Sequence, residues 1–171
     1  MEGRALLLIE ALQRPDQHQP VTRALHRGVA QQHDARVGKI KPEVLVSSRL
    51  APDMHPLSFQ VQSTTDRIKF TLARLTGRTP PSWEDNETTL ADLRARLKKA
   101  LEFVATFSEA DLAGSEGKTL TLKVRGEDTQ VPAIEHVTLN AVPQIFFHIT
   151  SAYAILRHNG VPIGKRDFTG G

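Results

Sequence analysis

The fold is indicated first by residues 146–160, which have the sequence FFHITSAYAILRHNG. The residues that share one face of a helix with a 3.6-residue period are Ile145, His148, Ile149, Ala152 and Ile155. Pro143 suits the first turn of this helix, and Asn159-Gly160 supplies a stop signal. The sequence therefore predicts a core helix from residue 143 to residue 160, whose apolar face carries one titratable side chain, His148.

Helical patterns also precede this segment. They predict helices over residues 42–49, 54–75, 89–107 and 133–141. In the longest of these, the residues expected to form the buried stripe are Val61, Thr65, Ile68, Leu72 and Leu75. Thr89, with Asp92 three residues later, predicts a capping box at the start of the helix 89–107. Together the patterns favour a bundle of helices.

One β-hairpin interrupts the helices. Residues 119–124 alternate between polar and apolar side chains as a strand does, residues 125–128 predict a turn, and residues 129–132 predict the returning strand. A lone two-stranded hairpin is only marginally stable in water, so we expect it to pack on the helices. In the C-terminal tail, order would depend on docking of Phe168 onto the bundle. The predicted fold class is mainly α, a helical bundle with one inserted β-hairpin.

The composition is that of one soluble domain of 171 residues, of which 39% are apolar and 24% charged. The absence of cysteine excludes disulfide bonds and thiolate metal sites, and it is compatible with the cytoplasmic location that we predict. The apolar run at residues 5–9 is interrupted by Glu10 and is too short to span a membrane. We therefore predict neither a membrane span nor an export signal.

The first 38 residues differ in composition from the rest, and we predict a divergent basic leader (1–38) followed by a helical domain (39–171). Residues 1–50 hold eight Lys and Arg against five Asp and Glu, whereas the remainder holds fourteen of each. This excess is diffuse and lacks interleaved aromatic residues, so a solvated leader is favoured over a nucleic-acid-binding arm. The spacings of His18, His26 and His33 match neither a helical i,i+4 pair nor a zinc finger.

His148 is the centre of the candidate site. His136 lies twelve residues upstream, and a turn at Pro143 would bring the two rings together. Asp66, on the predicted helix 54–75, would add an oxygen ligand, so His148, Asp66 and His136 are the candidate ligands of a divalent metal. The alternative is a hydrogen bond between His148 and Asp66 that joins two helices without metal. Ser151 is disfavoured as a nucleophile because no oxyanion-hole loop accompanies it.

Several short segments carry a resemblance to a known family. They are RLAPDM at 49–54, QVQ at 60–62, EDNE at 84–87, GSE at 114–116, FH at 147–148, LRHNGV at 156–161 and GKRDF at 164–168. From residue 39 to the C-terminus the chain resembles the family of domains of unknown function numbered nineteen-ninety-three. That family is similar to a branch of the DinB/YfiT-like superfamily, and the resemblance implies a four-helix bundle.

The resemblance also implies a homodimer. Several members of the superfamily hold a divalent metal through three histidines and use it for hydrolase or transferase chemistry. The resemblance therefore also implies a metal such as zinc or nickel. This chain departs from that pattern because Ala152 stands four residues after His148, where the second histidine of the pattern would be, and because residues 1–38 do not resemble the family's first bundle helix.

Two hypotheses follow. One is a metal-dependent hydrolase or transferase acting on a small molecule, and the other is a non-enzymatic dimerising or interaction module without metal. Neither nucleic acid nor a membrane is an expected partner.

Overall fold

A computed structural model describes residues 41–169 of the chain. Its helices are α1 (Pro42–Ser47), α2 (Leu57–Thr76), α3 (Leu90–Val104), α4 (Glu109–Leu112), α5 (Ala133–Glu135), α6 (Val142–His158) and α7 (Lys165–Thr169). Between α4 and α5, a 3₁₀ turn at Ser115–Gly117 leads into an antiparallel pair of strands, β1 (Thr119–Val124) and β2 (Glu127–Pro132). The predicted fold class, mainly α with one β-hairpin, is confirmed. The predicted boundary between leader and domain lies outside the described residues.

Helix α2 lies at the centre of the fold and packs against both α3 and α6. All five residues of its predicted apolar stripe are buried, from Val61 to Leu75. The helix begins at Leu57 rather than at residue 54, because a proline at position 56 disfavours helical backbone in the residue before it. It ends at Thr76, one residue later than predicted, and the following Gly77, whose positive φ is 76°, provides the left-handed cap.

Helix α3 begins with the predicted capping box. The backbone N–H of Asp92 donates to Oγ1 of Thr89 over 3.1 Å, and the backbone N–H of Thr89 donates to Oδ2 of Asp92 over 2.8 Å. The helix ends at Val104, three residues earlier than predicted, and the chain turns so that Phe107 is buried in the core. A second capping box, between Ser108 and Asp111, then starts α4.

The hairpin lies on the end of the helices, as expected. Leu120 is buried and Leu122 packs against the same core cluster, while Nζ of Lys118 donates to the carbonyl oxygen of Leu75 at the end of α2. The turn is tighter than predicted, because Val124 pairs with Glu127 and only Arg125-Gly126 connects the strands. Both loop residues have positive φ, 53° and 91°, as a type I′ turn requires.

The helix that contains the candidate histidines is continuous from Ala133 to His158. The prediction of a chain reversal at Pro143 is wrong: residues His136–Ala141 are π-helical and run directly into α6. A proline removes one helical hydrogen bond, and the wider π turn lies immediately before it. By length and apolarity alone this stretch would be long enough to cross a membrane. It packs against α2, and 39% of its most apolar window is buried.

The predicted core face of α6 is confirmed. Ile145, Ile149, Ala152 and Ile155 are all buried. The tail returns to the bundle as expected, because the Phe168 ring on α7 packs against the core with its centroid 5.5 Å from that of Tyr153.

Candidate functional site

His148 bonds to a buried glutamine on α2. Its Nδ1 lies 2.9 Å from Oε1 of Gln60, a side chain that is 2% exposed. The Nε2 group of Gln60 donates to the carbonyl oxygen of His55 over 3.0 Å, which fixes the orientation of the amide and turns Oε1 towards the ring. In a neutral His148 the proton therefore resides on Nδ1, and Nε2 carries the lone pair.

Aromatic rings surround His148. The Phe147 and Phe59 ring centroids lie 5.4 and 6.1 Å from that of His148, and the His55 ring stacks on Phe59 at 3.8 Å. Burial lowers the pKa of His148 below its ordinary value, and electrostatic interaction first with Arg67 and then with His55 lowers it further. The site thus holds a neutral imidazole at neutral pH.

Asp66 does not contact His148. Its Oδ1 accepts from Nη2 of Arg96 over 3.0 Å and from Nζ of Lys69 over 2.7 Å. The reason is the phase of α2, because Gln60 and Asp66 are six residues apart and project about 120° from one another around the helix axis. The expected hydrogen bond between His148 and Asp66 is therefore replaced by one between His148 and Gln60.

Arg96 joins α2, α3 and the loop between them in an ionic network centred on its buried guanidinium. Its side chain is 2% exposed, and besides Asp66 it donates to Asp85 over 2.7 Å, to Glu87 over 3.1 Å and to Oγ1 of Thr65 over 2.9 Å. Four of the five N–H groups of the guanidinium donate in these contacts, so its hydrogen-bonding capacity is largely satisfied. The carboxylate of Asp66 is thus part of a structural network that fixes the positions of two helices.

His136 lies far from His148. Twelve residues of continuous helix separate the two, which corresponds to about 18 Å along the axis. His136 is 5% exposed, and its Nε2 is buried without a hydrogen-bond partner among residues 41–169. Burial lowers the pKa of His136, and the charges of Arg74 and Arg67 add to the effect. Two rings on one rigid helix at this separation do not share a metal ion.

The three predicted ligands consequently occupy three separate environments. Within the part of the chain that the structure describes, no three His, Asp or Glu side chains come together in a way that could hold a metal ion. The predicted set His148, Asp66 and His136 is not assembled, and His18, His26 and His33 lie outside the described residues.

Sequence reasoning missed Gln60 and Arg96, the partners of His148 and Asp66. A signal for Gln60 existed, since it precedes Thr64 and Ile68 at steps of four on the buried side of α2. A long polar side chain at such a position requires a hydrogen-bonding partner from a neighbouring element.

The fold and its hairpin define a helical bundle of the DinB type. A crystal structure of a DinB family member from Shewanella denitrificans superposes on this chain with a TM-score of 0.81 and is 36% identical, covering 97% of this chain and 89% of that one. The model of the family described as a domain of unknown function, DUF1993, matches residues 17–169, and the chain belongs to this family. The family resemblance is confirmed, but it begins earlier than residue 39. The expectation that residues 1–38 do not resemble the family is wrong for residues 17–38, which the family model also matches. No curated protein is significantly similar to the sequence.

Proposed function

We propose that this protein is a non-enzymatic homodimerising module whose contact face is the outer side of the first half of α6. The observation that carries the proposal is a pair of exposed aromatic residues, Phe146 and Phe147, which are 47% and 58% exposed. Large apolar side chains exposed side by side mark interaction sites, and phenylalanine is enriched at interface cores.

The pair also has no charged neighbour along α6 itself. Pro143 and Thr150 are exposed on the same side of the helix, and residues 139–156 contain no Asp, Glu, Lys or Arg. The solvent face of a helix on a globular protein is ordinarily charged or polar. A two-fold axis would place this uncharged stripe against its own copy, as closed homodimers require. Since the nearest cation along α6 is Arg157, the face lacks the flanking basic residues typical of helices that bind membrane surfaces.

The oligomeric state of matched variants tests the proposal. Sedimentation equilibrium of the full chain should give a dimer for the wild type and for Val44→Glu, which places the same charge on an apolar residue that is 50% exposed on α1. Phe147→Glu should be monomeric, because a dimer would bury the new carboxylate without a partner. A monomeric wild type, or a Phe147→Glu variant that dimerises as strongly as wild type, contradicts the proposal.

One observation supports the competing function, which is metal-dependent hydrolysis or group transfer on a small molecule. Gln60 orients His148 so that Nε2 carries the lone pair, as a partner on the other ring nitrogen does in metal-binding histidines. Residues 41–169 supply this single nitrogen and no set of three ligands around it, so the geometry favours the module.

Metal content separates the two functions. The full chain is purified untagged without chelator, and bound zinc and nickel are measured for wild type, His148→Ala and His158→Ala, the last a change at the exposed end of α6. Stoichiometric metal that is lost only in His148→Ala would support the enzyme. Dimeric wild type without bound metal supports the module. We place either function in the cytoplasm, in keeping with a chain that contains no cysteine.

A further inference from the structure

A cavity of about 600 Å³ lies between α2, the hairpin and the π-helical segment. Its polar wall includes Arg67 and Arg74 from α2 and His136 from the π-helical segment. This volume is typical of sites that bind small organic molecules. Neither Phe146 nor Phe147 lines it, so whatever it binds is independent of the proposed dimer face.

The cavity wall carries two arginines that have no carboxylate partner among residues 41–169. Arg67 and Arg74 are seven residues apart and share one side of α2. Neither forms an ion pair with a residue of the described range, and Arg74 instead lies over the Phe70 ring at 5.6 Å. Burial lowers the pKa of Arg74 and the positive charge of Arg67 lowers it further, so the charged form of Arg74 is destabilised at this wall.

The remaining charges of the wall do not neutralise this pair. Lys123 forms its ion pair with Asp128, 3.0 Å away on the opposite strand. Among the described residues, Glu135 is the one carboxylate of the lining, and it forms no ion pair with either arginine. The cavity therefore has an excess of positive charge, which an anion would relieve.

His136 supplies an unused hydrogen-bonding group at the same wall. Its Nε2 is buried and unpartnered within the described residues, and the side chain is 5% exposed. A buried polar nitrogen without a partner is destabilising, and native structures rarely retain one unless something else satisfies it.

The other part of the cavity wall is apolar. Leu139 is 74% exposed and Val124 is 45% exposed, and both line the cavity together with Leu122 and Val131. Two large hydrophobic side chains exposed at one opening favour a ligand that brings an apolar surface of its own.

We propose that this cavity binds a small organic anion, with a carboxylate or phosphate head group held by Arg67, Arg74 and His136 and an apolar chain packed against Val124 and Leu139. Arginine forms paired hydrogen bonds to both kinds of head group, so the charge pattern fits either one.

Calorimetric titration of the full chain at low salt tests the site with four probes: hexyl phosphate, hexanoate, 1-hexanol and inorganic phosphate. Hexyl phosphate or hexanoate should bind, and whichever binds more tightly identifies the head group. 1-Hexanol, which has no charge, and inorganic phosphate, which has no apolar chain, should each bind more weakly. Arg67→Gln and Arg74→Gln should each weaken the better probe by about tenfold or more, whereas Arg157→Gln, an exposed arginine on α6, should leave its affinity unchanged.

Amide NMR shifts of the wild type locate the binding without relying on any variant. The better probe should shift residues 122–124 and 136–140 and leave residues 146–150 in place. Failure of both anionic probes to bind at millimolar concentration, equal affinity for 1-hexanol, or shifts elsewhere on the protein would overturn the proposal.

Discussion

Nδ1 of His148 lies 2.9 Å from Oε1 of Gln60, and this hydrogen bond joins α6 to α2 inside the bundle. Gln60 is almost completely buried and also donates to the His55 carbonyl oxygen, so its amide has no freedom to turn towards water. The pair explains why a titratable side chain is placed on the apolar face of a core helix: it is the polar connection between the two longest helices of the described chain.

Replacing Gln60 removes the hydrogen-bond acceptor of His148 and should destabilise the protein. Gln60→Leu is expected to lower the free energy of unfolding by about 1 to 3 kcal/mol, because Nδ1–H of His148 loses its partner in a partly buried setting. Gln144→Leu, which removes a glutamine bonded to Asn140 at an exposed position, should cost less than about 0.5 kcal/mol. Urea unfolding measures both, and a double-mutant cycle with His148→Ala should give a coupling near 1 kcal/mol. Independent effects of the two substitutions would show that the bond contributes nothing.

Removal of the cation at the centre of the ionic network is predicted to cause a larger loss of stability. Arg96→Met should destabilise the protein by roughly 3 to 5 kcal/mol, because Asp66 and the nearly buried Glu87 would lose their shared cation. Lys98→Met removes a cation two residues away whose ion pair with Glu102 is well exposed, and it should cost less than about 0.5 kcal/mol. Chemical denaturation measures the stability of both variants. Equal losses would mean that the network around Arg96 contributes no more to stability than an exposed ion pair.

Stability should also fall in mild acid. The pKa values of His136 and His148 are both lowered in the folded protein, mainly by burial, whereas in the unfolded chain each is near about 6.5. Below about pH 6.5 the unfolded state therefore binds more protons than the folded state, so the free energy of unfolding rises with pH through this window. This stabilisation is present in full above the pKa that the two histidines have in the unfolded chain. It is lost as the pH falls towards their lower pKa values in the folded protein.

Urea unfolding at a series of pH values between about 5 and 8 checks this slope. His136→Gln should reduce the slope, and His158→Gln, a change at the exposed end of α6, should not. A wild-type protein whose stability is flat across the window, with ring titrations by NMR near about 6.5, would contradict the prediction.

The hairpin turn offers a stabilising substitution. Arg125 has a φ of 53°, a conformation that asparagine adopts more readily than arginine and that asparagine-glycine favours in a type I′ turn. Arg125→Asn is expected to raise the free energy of unfolding by about 0.5 kcal/mol, while Arg125→Ala should give no gain. Thermal unfolding of the three proteins would show the difference, and a destabilised Arg125→Asn would refute the assignment of the turn.

Local patterns in the sequence were sufficient for much of the fold. The buried stripe of α2, the capping box between Thr89 and Asp92, the bounds of β1 and the core face of α6 all depend on residues within a few turns or one strand of each other. Spacing and propensity express such short-range geometry directly. The family resemblance could likewise be recognised from short segments, without any knowledge of contacts.

The partners of the candidate site were decided by tertiary structure alone. His148 and Gln60 are 88 residues apart in the chain, and Asp66 and Arg96 are 30 apart. Which polar residues meet across two helices depends on the rotation of each helix about its axis and on where the loop of residues 77–89 returns, and no local pattern specifies either. The separation of His136 from His148 has the same origin, because a π turn carried the helix through Pro143 where the sequence alone indicated a break.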